Sequence, residues 1–295
     1  MFNGSIVAIV SPMKEHGDID TFSFRNLVKW HLEEGTNGIV VNGTTGEAPT
    51  LTVSERAKLI SIAVEMCGDR IPVIAGTGTN CTVTAIESTK EAIKLGVTAC
   101  LVVTPYYNKP TQEGLFKHFK AIATSCNIPI ILYNVPGRTG CDLLPETVIK
   151  LSKIDNIVGI KEATGDISRV KALREGCRPG FVLLSGDDGT ALKFMIDGGD
   201  GVISVATNVV PKEMALLCKL AKNNNLTEAI ALEKTLSELF RVLFVESNPI
   251  PVKWALKQLG LIEAGIRLPL TELRRENMEL IDAVLKQVCK RYFHD

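Results

Sequence analysis

Histidine is scarce in this chain: His16, His31, His118 and His294 are the only four. Two of them, His31 and His118, fall inside helical patterns, and His294 sits at the C-terminal end. A histidine triad or a His-rich metal centre has little to be built from. Net charge is lacking as well. Lys+Arg and Asp+Glu both number 33, a formal charge of zero, so bulk electrostatics point to no nucleic-acid partner and no acidic membrane. No apolar run is long enough to span a bilayer, and Met1-Phe2-Asn3-Gly4-Ser5 has no basic segment followed by a signal-length apolar stretch. A cytoplasmic protein is expected. None of the eight cysteines (Cys67, Cys81, Cys100, Cys126, Cys141, Cys177, Cys218 and Cys289) pairs as C-x-x-C, which favours reduced, mostly buried thiols over zinc or disulfides. There is no P-loop and no G-x-G-x-x-G after an apolar run. Gly198-Gly199-Asp200-Gly201 precedes a run instead of following it, a weak phosphate cradle.

What is present is a regular alternation. In 295 residues, 45% hydrophobic and 22% charged, eight short apolar runs recur: Ile6–Val10, Gly38–Val41, Pro72–Ala75, Ala99–Val103, Pro129–Tyr133, Ile157–Ile160, Phe181–Leu184 and Gly201–Val205. They are rich in Val, Ile and Leu without clear alternation, as strands covered on both faces are. Helical segments separate most of them. Thr52 and Glu55 form a capping box ahead of Leu59, Ile60, Ala63 and Val64, closed by Gly68. Phe24, Leu27, Val28 and Leu32 make another stripe, and Pro145 and Pro211 stand where a first-turn proline opens a helix. Eight such units predict an α/β fold, a (β/α)8 TIM barrel. A doubly wound open sheet is the alternative, but it rarely reaches eight units without a nucleotide fingerprint. From about Leu226 the strand signal stops. Residues 1–224 are expected to form the barrel with the active site, and residues 225–295 a C-terminal helical appendix.

In such barrels the chemistry gathers where strands end. Lys161 follows the apolar run Ile157-Val158-Gly159-Ile160 directly. Burial strips water from an ammonium and favours the neutral amine, the nucleophile that forms Schiff bases with carbonyl compounds. Taken alone, a lysine snorkelling to a carboxylate such as Glu162 explains the position as well. The other run ends supply hydroxyls (Thr44, Thr45, Tyr107, Tyr133) and one arginine, Arg138. Thr44-Thr45 between glycines reads as a carboxylate-binding turn or as an ordinary Gly-rich one. Tyr133 is a core tyrosine or, beside an amine that exchanges protons, an acid/base. Arg138 is a solvated loop charge or a bidentate carboxylate ligand. One residue of Asp187-Asp188 is expected to cap a helix. Tyr106 and Tyr107, read as extended, point to opposite sides.

Gly43-Thr44-Thr45-Gly46-Glu47, Tyr133-Asn134-Val135-Pro136-Gly137-Arg138-Thr139 and Gly159-Ile160-Lys161-Glu162-Ala163 together resemble the class I pyruvate-dependent aldolase/lyase superfamily, and within it the dihydrodipicolinate synthase family. The likeness runs from Gly4-Ser5-Ile6-Val7-Ala8 to Asn248-Pro249-Ile250-Pro251-Val252-Lys253. It implies a homotetramer that condenses pyruvate with L-aspartate 4-semialdehyde, with no metal or organic cofactor. It also implies roles: Lys161 as Schiff-base residue, Tyr133 as proton donor and acceptor, and Thr44 as a relay to Tyr107 donated by a neighbouring subunit. Thr45 would bind the pyruvate carboxylate, Ile203 and Gly186 would line the pocket, and Arg138 would receive the aldehyde's carboxylate. A sister aldolase acting on N-acetylneuraminate or a 2-keto-3-deoxy sugar acid is the nearest rival; Arg138 speaks against it. A pyridoxal-phosphate barrel and an inactive binding barrel are the others. In relatives inhibited by lysine, the effector site matches Ala48, Pro49, Val53, Arg56, Asn80, Thr84 and Tyr106 here. Thr84 brings no negative charge and Arg56 adds a positive one, so inhibition by lysine is expected to be weak or absent.

Overall fold

The structure, a computed structural model, describes residues 2–289; His294 lies outside them. Eight parallel strands, β1 (Gly4–Ala8), β2 (Gly38–Val41), β3 (Val73–Gly76), β4 (Ala99–Val103), β5 (Ile130–Asn134), β6 (Ile157–Glu162), β7 (Val182–Ser185) and β8 (Gly201–Ser204), close into a barrel in sequence order. The closing pair is β1 with β8, Gly4 opposite Gly201 through Val7 opposite Ser204. The helices are α1 (Thr21–Glu33), α2 (Val53–Cys67), α3 (Thr82–Lys94), α4 (Gln112–Ser125), α5 (Pro136–Thr139), α6 (Pro145–Leu151), α7 (Ser168–Gly176), α8 (Ala191–Ile196), α9 (Pro211–Lys222), α10 (Leu226–Val242), α11 (Ile250–Gln258) and α12 (Arg275–Val288). The expected (β/α)8 barrel with a helical C-terminal part is what the chain forms.

Each strand is buried on both sides, which explains the absence of alternation in the sequence. Ile6, Ala8, Val40, Ile74, Leu101, Ile131, Leu184 and Ile203 fill the barrel interior with Tyr133. Val7, Ile39, Val41, Val102, Leu132, Ile160 and Leu183 face outward into a larger cluster under the helices. That cluster takes Phe24, Leu27 and Val28 from α1 and Leu59, Ile60 and Ala63 from α2. The capping box at Thr52 forms as expected, with the side chains of Thr52 and Glu55 each bonding the other's backbone N–H. Pro145 and Pro211 open α6 and α9.

Three local expectations change. The strands do not end where the apolar runs do: β1 spans Gly4–Ala8 instead of Ile6–Val10, and β5 and β6 run on through Asn134 and Glu162. The hydrogen-bond ladder decides a strand's length, and polar residues continue it where a neighbour is in register. Lys161 therefore sits inside β6, not after it. Asp187 and Asp188 do not fill a helix N-cap. Asp187 Oδ2 accepts from the N–H and the hydroxyl of Thr190, at 3.0 and 2.7 Å, in the turn before α8. Buried Asp188 accepts from the N–H groups of Val205 and Ala206 at 3.0 and 2.8 Å, which pins the chain leaving β8. Finally, Tyr107 has φ +76°, so the Tyr106-Tyr107 segment is not extended.

Past the barrel, α10 packs on α9 and α12, and α11 on α12. This part also reaches back. In α11, Lys253 forms a buried ion pair with Glu47 from the loop after β2. Arg267 grips the same region: its guanidinium donates to the Thr50 carbonyl at 2.8 Å and pairs with Glu55 on α2.

Candidate active site

Register sets the geometry. Val103, Tyr133, Lys161 and Leu184 are paired in turn across β4, β5, β6 and β7, one row near the C-terminal rim. Strand alternation turns Tyr133 inward, and Lys161 beside it turns the same way. Lys161 Nζ lies over the Tyr133 ring, 4.3 Å from its centroid. The two residues are only 6% and 7% exposed. Among the described residues no carboxylate lies within ion-pair distance of Lys161. Glu162 is not its partner: one step along the strand, it faces outward. There it accepts from the Thr164 N–H at 2.9 Å and from Asn134 Nδ2 at 3.2 Å. Burial pushes the Glu162 carboxyl up against those hydrogen bonds. Behind Asn134, Asp142 takes a bidentate pair from Arg169 at 2.8 and 2.6 Å, which holds its carboxyl below the usual range. A polar network thus backs the strands that carry Tyr133 and Lys161.

Gly186 follows β7 beside the lysine. A Cβ there would stand 3.0 Å from Lys161 Cε and 2.5 Å from the Ala163 Cβ; only glycine leaves the lysine stem its space. Ile203, on β8 opposite Ile6, is part of the apolar interior below.

Thr44 and Thr45 lie in a tight turn after β2, closed by Gly46 N–H to Gly43 O at 3.1 Å and Glu47 N–H to Thr44 O at 3.0 Å. Asn42 and Glu47, which flank it, hold left-handed backbone at φ +57° and +54°. In the loop after β4, Tyr107 and Lys109 do the same, at +76° and +45°. Four such non-glycine residues at two strand ends hold strain that the surrounding structure must sustain, a pattern common at functional sites. Thr45 is buried and its Oγ1 accepts from Asn248 Nδ2 at 3.0 Å. Arg138, exposed on the one-turn helix α5, donates from Nη2 to the Asn248 carbonyl at 3.3 Å. Tyr107 projects from the surface, 89% exposed.

The structure therefore brings Lys161, Tyr133, Gly186 and Ile203 together in the interior and sets Thr45 and Arg138 around Asn248. Asn248 had no role in the sequence reading beyond its place in a tail motif. Its contact with Thr45 joins residues 203 positions apart, which no local pattern announces. The arrangement suits carbonyl chemistry on a buried amine next to a phenol, with a hydroxyl and a guanidinium placed for anionic groups. Among the described residues no cluster of three or more His, Cys, Asp or Glu could hold a metal ion. No helix among them is long and apolar enough to cross a membrane.

Known proteins share both chain and geometry. The sequence profile of the Dihydrodipicolinate synthetase family matches residues 1–288. A 4-hydroxy-tetrahydrodipicolinate synthase of Coxiella burnetii is 56% identical over 288 residues, 98% of this chain and 99% of the relative. The dihydrodipicolinate synthase of Acinetobacter baumannii, solved in complex with pyruvate, superposes with a TM-score of 0.96 at 52% identity, over 98% of this chain and 99% of that one. A monomeric dihydrodipicolinate synthase variant also superposes at 0.96, with 45% identity and coverage of 98% and 97%. With the barrel, the rim lysine and these full-length likenesses in agreement, the chain belongs to the dihydrodipicolinate synthetase family.

Proposed function

We propose that this chain condenses pyruvate with L-aspartate 4-semialdehyde through a Schiff base on Lys161, a lyase reaction yielding 4-hydroxy-tetrahydrodipicolinate on the route to diaminopimelate and lysine. The observation that carries the reading is the buried Lys161 amine over the Tyr133 ring, in register with it and given room by Gly186. The amine adds to the pyruvate ketone and water leaves, giving an iminium. This cation draws electrons from the adjacent methyl group, which loses a proton to become the enamine. The enamine carbon attacks the aldehyde. The amino group of the second substrate then displaces Lys161 from the iminium carbon, closing the ring and freeing the enzyme. Tyr133 gives and takes the protons, with Thr44 as the link to Tyr107 of a neighbouring subunit. The Thr45 hydroxyl and the Ile203 backbone hold pyruvate, and Arg138 at the mouth takes the carboxylate of the aldehyde.

In this reading residues 1–224 carry the catalytic barrel and residues 225–295 the helical appendix, and four chains assemble as a dimer of dimers. The exposed Tyr107 supports an assembly in which it serves another chain. The direct test is reduction by borohydride in the presence of pyruvate, followed by peptide mass mapping. Label is expected on Lys161 with loss of activity. Label elsewhere, or undiminished labelling of Lys161→Ala, sinks the assignment. A coupled assay with aspartate semialdehyde, run beside N-acetylneuraminate cleavage, separates this activity from the sister aldolases.

A further inference from the structure

We propose that Asn248 is a positioning residue for the first substrate: its carboxamide fixes the direction in which the Thr45 hydroxyl donates. The inference rests on the reading of Thr45 as a ligand of the pyruvate carboxylate. Asn248 lies between α10 and α11 and is 5% exposed. Its Nδ2 donates to Thr45 Oγ1 at 3.0 Å. A hydroxyl whose oxygen already accepts keeps its one hydrogen to give away. Thr45 is thereby held as a donor, the form that binds a carboxylate. Without the amide, the hydroxyl is free to rotate and spend its hydrogen on a backbone carbonyl of its own turn.

Stability does not account for an asparagine here. Its Oδ1 is buried and has no partner among the described residues. A buried acceptor left unmade is destabilising, and a leucine of similar outline would avoid that penalty. The polar side chain is explained by what its other end does at Thr45. The placement is also held firmly. Lys253, on the helix that follows, is ion-paired with Glu47, two residues after Thr45, so the two segments are tied together next to the contact. Arg138, by contrast, uses only the main-chain carbonyl of Asn248, at 3.3 Å, which any residue at this position retains.

That difference gives the inference its signature: substitution of the side chain should weaken pyruvate and spare the aldehyde. The test is steady-state kinetics of Asn248→Leu and Asn248→Asp in the full chain, with both substrates varied, alongside thermal melts and borohydride trapping. For Asn248→Leu, the KM for pyruvate is expected to rise roughly tenfold, the size of one hydrogen bond to a charged group. The KM for the aldehyde should stay within about threefold, and the melting midpoint should not fall. Asn248→Asp has the outline of asparagine but accepts where the amide donates, and it adds a negative charge near a bound carboxylate. Its pyruvate KM is expected to rise at least as far. An unchanged pyruvate KM in either variant overturns the proposal, and so does an equal rise in both KM values in Asn248→Leu. Should Asn248→Leu fail to fold, Asn248→Asp decides the matter by the same criterion. Failure of the unmodified protein to trap pyruvate on Lys161 refutes the underlying reading instead, a result that the variants do not produce.

Discussion

A methyl group at position 186 is enough to disturb the chemistry proposed for Lys161. The added Cβ would meet the Ala163 Cβ at 2.5 Å and the lysine stem at 3.0 Å, and neither strand end can retreat without breaking the β6–β7 ladder. The lysine must swing away. Gly186→Ala is expected to slow borohydride-trapped adduct formation by roughly a hundredfold, the scale set by small misplacements of reacting groups. Stopped time points analysed by mass spectrometry read this directly; trapping at the parental rate would remove Gly186 from the site. Charge makes a second prediction at this scale. Thr84 is exposed at the start of α3, and Arg56 on α2 donates from Nε to the Leu51 carbonyl at 3.2 Å. Neither offers a carboxylate to the ammonium groups of lysine. Titration of L-lysine into the coupled assay should inhibit weakly or not at all. Saturable inhibition below the millimolar range would mean that a neighbour such as Glu87 supplies the missing charge.

At the level of elements, the segment after α11 behaves as a strap over the start of α2. Arg267 holds the Glu55 carboxyl down at about 2, mainly through its direct hydrogen bonds, with the Thr52 cap adding to them. The sign follows from the depressed value. The pair contributes stability in full above the ordinary carboxylate range near 4.5, and loses it as pH falls from there toward 2. Arg267→Gln should lower stability by about 1 kcal/mol at neutral pH, a modest figure because the pair is partly exposed. The gap to the parent should close on acidification through that window. Melting midpoints of the two proteins across pH 7 to 2 measure it; a pH-independent gap would show that Arg267 acts through its backbone contacts alone. The strap also marks where sequence reading reaches its limit. The eight strands, the Thr52 cap and the lysine at a rim were legible because short-range rules create them: apolar runs, a four-residue box, a charge following an apolar run. The strand ends were not, since Asn134, Lys161 and Glu162 join the ladder through partners on other strands. Thr45 with Asn248, and Glu47 with Lys253, were invisible for the same reason. Such pairs depend on the closed fold, and neither member carries a local mark.

At the scale of the whole molecule, Tyr107 is the residue on which the proposed assembly turns. Its side chain is 89% exposed on left-handed backbone, and in the proposed assembly it serves a neighbouring subunit. Mixing Tyr107→Phe with Lys161→Ala, each inactive alone, should restore activity once subunits exchange, because some sites then hold both intact residues. No recovery despite exchange proven by mass spectrometry would place every catalytic group within one chain. The ties from Asn248, Lys253 and Arg267 to the loop after β2 carry a consequence for the order in which the molecule is made. Synthesis runs from the N-terminus, and the barrel can close once Ser204 has emerged, when β8 meets β1. At that moment Glu47 is still a carboxylate without its cation, and Thr45 is without its tie to Asn248. A barrel closed at that stage would still lack the contacts that hold the loop after β2, and these form only once residues 248 to 267 have been made.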